Sequence, residues 1–249
     1  MDNLLIIVAA FCAGILNTIA GGGTFLTFPA LVFIGVPPVI ANATSSVAVL
    51  PGYLGGAFGF RREIASFDRP ALLKLTIVTL IGGSIGSVLL LVSSNQLFSF
   101  IVPFLLLAAT LTFLFGDQIR SWAADKHKSV TPYGTAGLLV VSIYGGYFNG
   151  GLGIILLALF SLWGMSNIHV MNGLKSGLSV VISAVSALIF IIGGLIVWKP
   201  AIIMMIAAII GGYCGAPIAR ALPAHIIRWL IAAVGFCMSA IFLVRLING

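Results

Sequence analysis

The sequence predicts an all-α polytopic membrane protein made of two inverted five-element helical repeats, and three observations lead there. The first is composition: 61% of the 249 residues are hydrophobic and 7% charged, with a mean hydropathy of +1.23. A soluble domain carries about 25% charged residues. The second is repetition: Gly35, Asn42, Pro70 and the run Gly82-Gly83-x-x-Gly86 recur as Gly164, Asn172, Pro200 and Gly211-Gly212-x-x-Gly215, offset by 129 or 130 residues. The third is charge. Arg61, Arg62, Arg69 and Lys74 precede the glycine-rich helix of the first copy, whereas Arg220 and Arg228 follow that of the second, with only Lys199 before it. Positive loops stay in the cytoplasm, so the copies are expected upside down relative to each other, the pattern of inverted-repeat transporters.

Taken in order, the first copy (residues 1–116) opens with an apolar helix over 3–20, which lacks a basic leader and reads as a retained span rather than a cleaved signal. The glycine triplet Gly21-Gly22-Gly23 interrupts it, and a short helix over 24–34 follows, ended by the turn Gly35-Val36-Pro37-Pro38. Further helices cover 42–60, 70–92 and 97–116, the last two parted by the turn Ser93-Ser94-Asn95-Gln96. Residues 117–131, with Asp117, Gln118, Arg120, Asp125, Lys126, His127 and Lys128, form a polar linker expected in the cytoplasm. The second copy (132–249) repeats the order with 134–149, 153–163, 171–198, 200–219 and 226–246, broken near Gly150–Gly153.

Parity supports inversion. About 20 helical residues cross a ~30 Å hydrocarbon core, and the third, fourth and fifth elements of each copy reach that length. The second elements, at roughly 11 residues, reach about half of it. With its broken neighbour each contributes two crossings or none, which leaves an odd number per copy. A cytoplasmic linker also places Arg61, Arg62, Arg69, Arg220 and Arg228 inside, and only Lys199 and Arg245 outside.

Several functional classes are excluded by the same residues. The net charge of +7 comes from cations flanking apolar helices rather than forming a stripe, so it points to membrane orientation and not to nucleic acid. Cys12, Cys214 and Cys237 lie in apolar helices, where disulfides are not expected. The three cysteines and three histidines do not cluster as metal ligands, and neither metal nor cofactor is expected. Ser176-Gly177 near His169 or His225 lacks an orienting carboxylate within the membrane, which argues against an enzyme. All five acids, Asp2, Glu63, Asp68, Asp117 and Asp125, fall in loops or at the terminus, so a proton or sodium relay has no obvious carrier.

What remains points to an anion. Broken backbone inside a membrane must line protein or a water-filled cavity, and free amides at a helix start attract negative charge. The amides near Gly22, Gly23, Gly150 and Gly151, beside Asn149, are therefore candidate donors. Gly82, Gly83, Gly86, Gly211, Gly212 and Gly215 sit within full-length spans and read as packing residues. Asn42-Ala43-Thr44-Ser45 and Asn172-Gly173-Leu174-Lys175-Ser176 open matching helices. Asn42 and Asn172 serve either as caps or, with Thr44, Ser45 and Ser176, as neutral donors to an oxyanion. Lys175 is the one cation that can fall inside a span. The 23 residues from Ser176 to Trp198 would cover about 35 Å as helix, leaving Lys175 to snorkel at the interface. A break at Gly193-Gly194 would instead draw it inward as the substrate's counter-charge.

Gly21-Gly22-Gly23-Thr24-Phe25, Pro29, Gly35-x-Pro-Pro38 and Ala41-Asn42-Ala43-Thr44-Ser45, echoed between Asn149 and Ser176, resemble the sulfite exporter TauE/SafE family. Leu152 interrupts the second glycine triplet. The resemblance implies export of a small anion, sulfite or an organosulfonate, across the cell membrane, with the lipid bilayer as surroundings. Alternating access would act on a site at the repeat interface. The alternative reading is a non-transporting scaffold or accessory subunit, whose interior would be dry and apolar at mid-depth. A third is an exporter with ten full spans and no half-helices.

Overall fold

The computed structural model of the chain describes residues 2–19, 22–125, 134–221 and 224–248, all helix and short connections with no strand among them. The helices are α1 (Asp2–Ile19), α2 (Thr24–Phe33), α3 (Pro38–Gly59), α4 (Arg61–Ala65), α5 (Arg69–Val92), α6 (Asn95–Leu114), α7 (Gly116–Asp125), α8 (Thr135–Tyr147), α9 (Leu152–Leu162), α10 (Ile168–Ile192), α11 (Trp198–Ala221) and α12 (Ala224–Asn248). Ten of these match the expected elements in order; α4 and α7 are additional. The first part of the expected linker is thus helical, and α7 packs on α9 through Gly116 and Ile154. Gly21 and residues 126–133 lie outside the described residues, as do the side chains of Arg220, Arg228, His225 and Arg245.

Among the described residues, α5, α10 and Asn95–Thr112 of α6 are long and apolar enough to cross a membrane. The half-helices α2 and α9 have 10 and 11 residues, about 15–17 Å of rise. Their partners α1 and α8 are interrupted where the sequence placed the breaks. At the second break Asn149 and Gly151 both take positive φ, 63° and 69°. That conformation is open to glycine and tolerated by asparagine, so the chain leaves α8 and restarts within four residues.

Two helix starts differ from the sequence reading. α3 begins at Pro38 and α10 at Ile168, so Asn42 and Asn172 lie inside helices and cap neither. The caps come from elsewhere. Pro38 presets the first helical φ, and the Val39 amide donates to the Asn95 side chain at 3.1 Å. Asn167 accepts from the amides of His169 and Val170 at 3.0 and 3.3 Å. The far end of α10 is set by Gly194, at φ 68°. Its amide donates to the Ile191 carbonyl and the Leu195 amide to that of Phe190, a left-handed cap that satisfies the last carbonyls. Gly35 and Gly164 end α2 and α9 in the same way.

Packing is reciprocal between the halves of the chain. α1 lies against α11 and α8 against α5; α3 faces α10 and α6 faces α12; α2 touches α12 and α9 touches α6. The packing role of the mid-helix glycines holds where it is described. A Cβ on Gly86 would collide with the Ile143 carbonyl, and one on Gly211 with that of Phe11; Gly146 and Gly83 meet backbone to backbone. Small residues allow such close approach in membranes. At the centre Phe28 of α2 meets Phe98 of α6 and Phe148 edge-on, with centroids 6.1 and 5.9 Å away, and stacks on Phe242 of α12 at 5.8 Å. These rings tie both broken helices into one apolar core.

Candidate substrate pocket

A cavity of about 490 Å³ opens between α1, α3, α10 and α11, so each half of the chain contributes two walls. Its shape follows from α3. Gly52, Gly55, Gly56 and Gly59 present backbone rather than side chains along one helix face, and Pro51 withdraws one backbone N–H beside them. Gly55 and Gly59 have open space where a Cβ would stand.

Polar groups converge on this cavity from both sides: Asn17 of α1, Tyr53 of α3, and Asn172, Lys175 and Ser176 of α10. Lys175 is 8% exposed and sits seven residues beyond the start of α10, about 10 Å along the helix. Lys175 is therefore buried among helices rather than exposed on the protein surface. The physical reason lies at both ends of the helix: the Asn167 cap starts α10 earlier, and the Gly194 cap stops it at Ile192, six residues short of Trp198. No carboxylate pairs with Lys175 among the described residues, and none lines the cavity. A buried cation without a counter-ion is costly, and an anion in the cavity would offset that cost.

The other candidate residues do not line the cavity, and most of them join helices or turns to one another. The Gly23 amide donates to the Asn17 side-chain oxygen at 2.8 Å. Gly22 starts the turn into α2, its carbonyl accepting from the Phe25 amide at 3.1 Å. Asn42 donates to the Tyr147 carbonyl at 2.8 Å, while its own Oδ1 is buried without a partner. Thr44 accepts from the Val197 amide at 3.2 Å, just before α11. The Ser45 and Thr27 hydroxyls share a 2.6 Å bond. At the second break Asn149 bonds Tyr53 and Ser183 at 3.4 Å each. The Tyr144 hydroxyl donates to the Gly150 carbonyl, and Gly151 packs on Ala109. Of the candidates, the cavity thus collects Asn172, Lys175 and Ser176.

Three polar side chains lining the cavity are absent from the sequence-based candidates: Asn17, Tyr53 and Tyr213. Asn17 lies four residues before the glycine triplet, and the spacing Gly52, Gly55, Gly56, Gly59 is the pattern of a bare helix face beside Tyr53. Tyr213 carried no comparable signal.

A family profile described as sulfite exporter TauE/SafE matches residues 6–242. A probable membrane transporter protein of Haemophilus influenzae is 30% identical over 240 residues, covering 95% of this chain and 92% of that protein. Probable membrane transporter protein ORF9 of a Sinorhizobium species is 28% identical, covering 93% and 88%. Probable membrane transporter protein YfcA of Escherichia coli is 27% identical, covering 93% and 86%. No solved structure gives a significant match. A profile spanning nearly the whole chain, joined to apolar helices of crossing length, makes this a membrane protein that belongs to the sulfite exporter TauE/SafE family of transporters.

Proposed function

We propose that the chain exports a small oxyanion, sulfite or a short organosulfonate, from the cytoplasm by alternating access. It would be a multi-pass protein of the cell membrane with its halves inverted. The observation that carries this reading is Lys175, buried with no carboxylate partner among the described residues, in a cavity furnished with the amide and hydroxyl groups of Asn17, Tyr53, Asn172 and Ser176. Such a set offers one full positive charge and neutral donors, which suits an oxyanion better than a cation or a neutral solute. Cavities of about 300–1,000 Å³ hold small organic ligands, so this volume admits a sulfonate or a partly hydrated sulfite.

The pocket lies toward the end of α3 that leads into Arg61 and Arg62, the side assigned to the cytoplasm by the positive-inside rule. Export of an anion from a negative interior needs no coupled ion, because each charge gains about 2.3 kcal/mol per 100 mV. A polar cavity at this depth also favours transport over a scaffold, whose interior has no use for one.

Efflux of labelled sulfite from proteoliposomes, measured across imposed potentials, tests the proposal. The expected result is protein-dependent efflux that speeds up as the interior becomes more negative. Equal rates in protein-free vesicles would overturn it.

A further inference from the structure

Beyond the pocket, α10 carries Lys175, Ser179, Ser183 and Ser186 at spacings of four, four and three, a single buried helix face. The eleven steps from Lys175 to Ser186 rise about 16 Å. α5 and α8 pack beside this face. Ser87 of α5 donates to Ser186 at 2.7 Å, Gly83 abuts Ile182 and Val185, and Gly82 abuts Ser142 of α8. The three helices thus enclose a seam of hydroxyls in otherwise apolar surroundings.

Three hydroxyls on these helices, one each from α5, α8 and α10, have no partner. Thr79, Ser142 and Ser179 are fully buried, and each oxygen lacks a hydrogen bond. Helical hydroxyls commonly satisfy themselves on the carbonyl one turn back, as Ser87 does on Gly83 at 2.7 Å and Ser46 on Asn42 at 2.9 Å. Orphan hydroxyls in a packed span are disfavoured. Their presence is accounted for if a polar species passes them in another conformation.

Between seam and pocket stands one chain of contacts. Tyr53 lines the pocket and donates to Asn149 Oδ1, and Asn149 Nδ2 donates to Ser183. Both bonds measure 3.4 Å, the long and easily parted end of the range. Asn149 is also the one non-glycine residue at positive φ among the described residues, at the joint between α8 and α9, where a backbone held in a sparsely populated region can switch.

We propose that the α5–α8–α10 seam is the closed second half of the substrate path, and that Tyr53, Asn149 and Ser183 are the gate between it and the Lys175 pocket. The idea rests on the export reading for what passes, but its test does not. Cys12, Cys214 and Cys237 are replaced by serine, and single cysteines are introduced as Ile209→Cys in the pocket or Ser179→Cys and Ser142→Cys in the seam. Protein in nanodiscs, with both faces wet, is treated with a charged methanethiosulfonate. Ile209→Cys should react quickly whether the gate is intact or not, which also shows that gate variants remain folded. Ser179→Cys and Ser142→Cys should react slowly with an intact gate and at least tenfold faster with Tyr53→Phe or Asn149→Ala. Seam rates unmoved by both gate variants, with Ile209→Cys still reactive, would overturn the gate. Accelerated seam labelling in a protein that moves no sulfite would uphold the gate and sink the choice of substrate.

Discussion

The crossing of α1 and α11 and that of α5 and α8 are built alike and finished differently. In each, a glycine-bearing helix from one half meets the first helix of the other half almost backbone to backbone, Gly211 on Phe11 and Gly86 on Ile143. Beside the first lies the open cavity with Lys175; beside the second, Thr79, Ser142, Ser87, Ser179 and Ser186 are fully enclosed. The glycines set how near two helices come, so they do not explain the difference. The third helix does. α3 borders the cavity with Gly52, Gly55, Gly56 and Gly59, whereas α10 fills the matching place with Ile182 and Val185. If the proposed path joins them, one end of it is open and the other shut.

The largest effect should come from the charge that distinguishes the open side. Lys175→Met removes the cation and keeps the length, and a charge-assisted bond of about 1.5–3 kcal/mol corresponds to a flux lower by about 10–100-fold. Lys175→Arg should retain part of it. Sulfite efflux from proteoliposomes provides the readout, and an unchanged rate for Lys175→Met would remove the pocket from the mechanism. The thermal midpoint of Lys175→Met should hold or rise, since an uncompensated buried cation is gone.

Next in size, Gly86→Ala and Gly211→Ala should each destabilise by about 1–3 kcal/mol through overpacking. Matching shifts in thermal midpoint in detergent would support two equivalent crossings. A much larger loss for Gly86→Ala would mean that the sealed side carries most of the stability. Asn17→Ala strips the Gly23 amide of its acceptor, a loss of about 1–2 kcal/mol. Thermal unfolding with and without sulfite separates that structural role from any contact with the anion, because only a contact would also weaken the ligand-induced shift. The smallest effects belong to Gly194→Ala and Gly55→Ala. The first forces a side chain into positive φ and should cost about 1 kcal/mol; the second enters open space on α3 and should change stability by less than about 1 kcal/mol. Equal losses for the pair would show that the α3 face is not bare.

Much of this architecture was legible before any coordinate. Ten helices, two interrupted junctions and the packing glycines follow from apolar length and from glycine and proline chemistry, which act within a few residues. The candidate donors were less legible. The recurrence of Asn42, Thr44 and Ser45 near Asn172 and Ser176 points to a cap at Asn42 or to donors for a substrate, yet their groups meet Tyr147, Val197 and Thr27. Which partner a buried amide or hydroxyl finds depends on a helix a hundred residues away, and no local pattern records that.

Residue order alone therefore settled that this chain lives in lipid, where its helices break and how its halves echo each other. Only the packed molecule decided which polar groups share a cavity and that Lys175 is buried among them. The reason is that helix ends answer to nearby caps such as Asn167 and Gly194, whereas a cavity is the space left over after distant helices have closed upon one another.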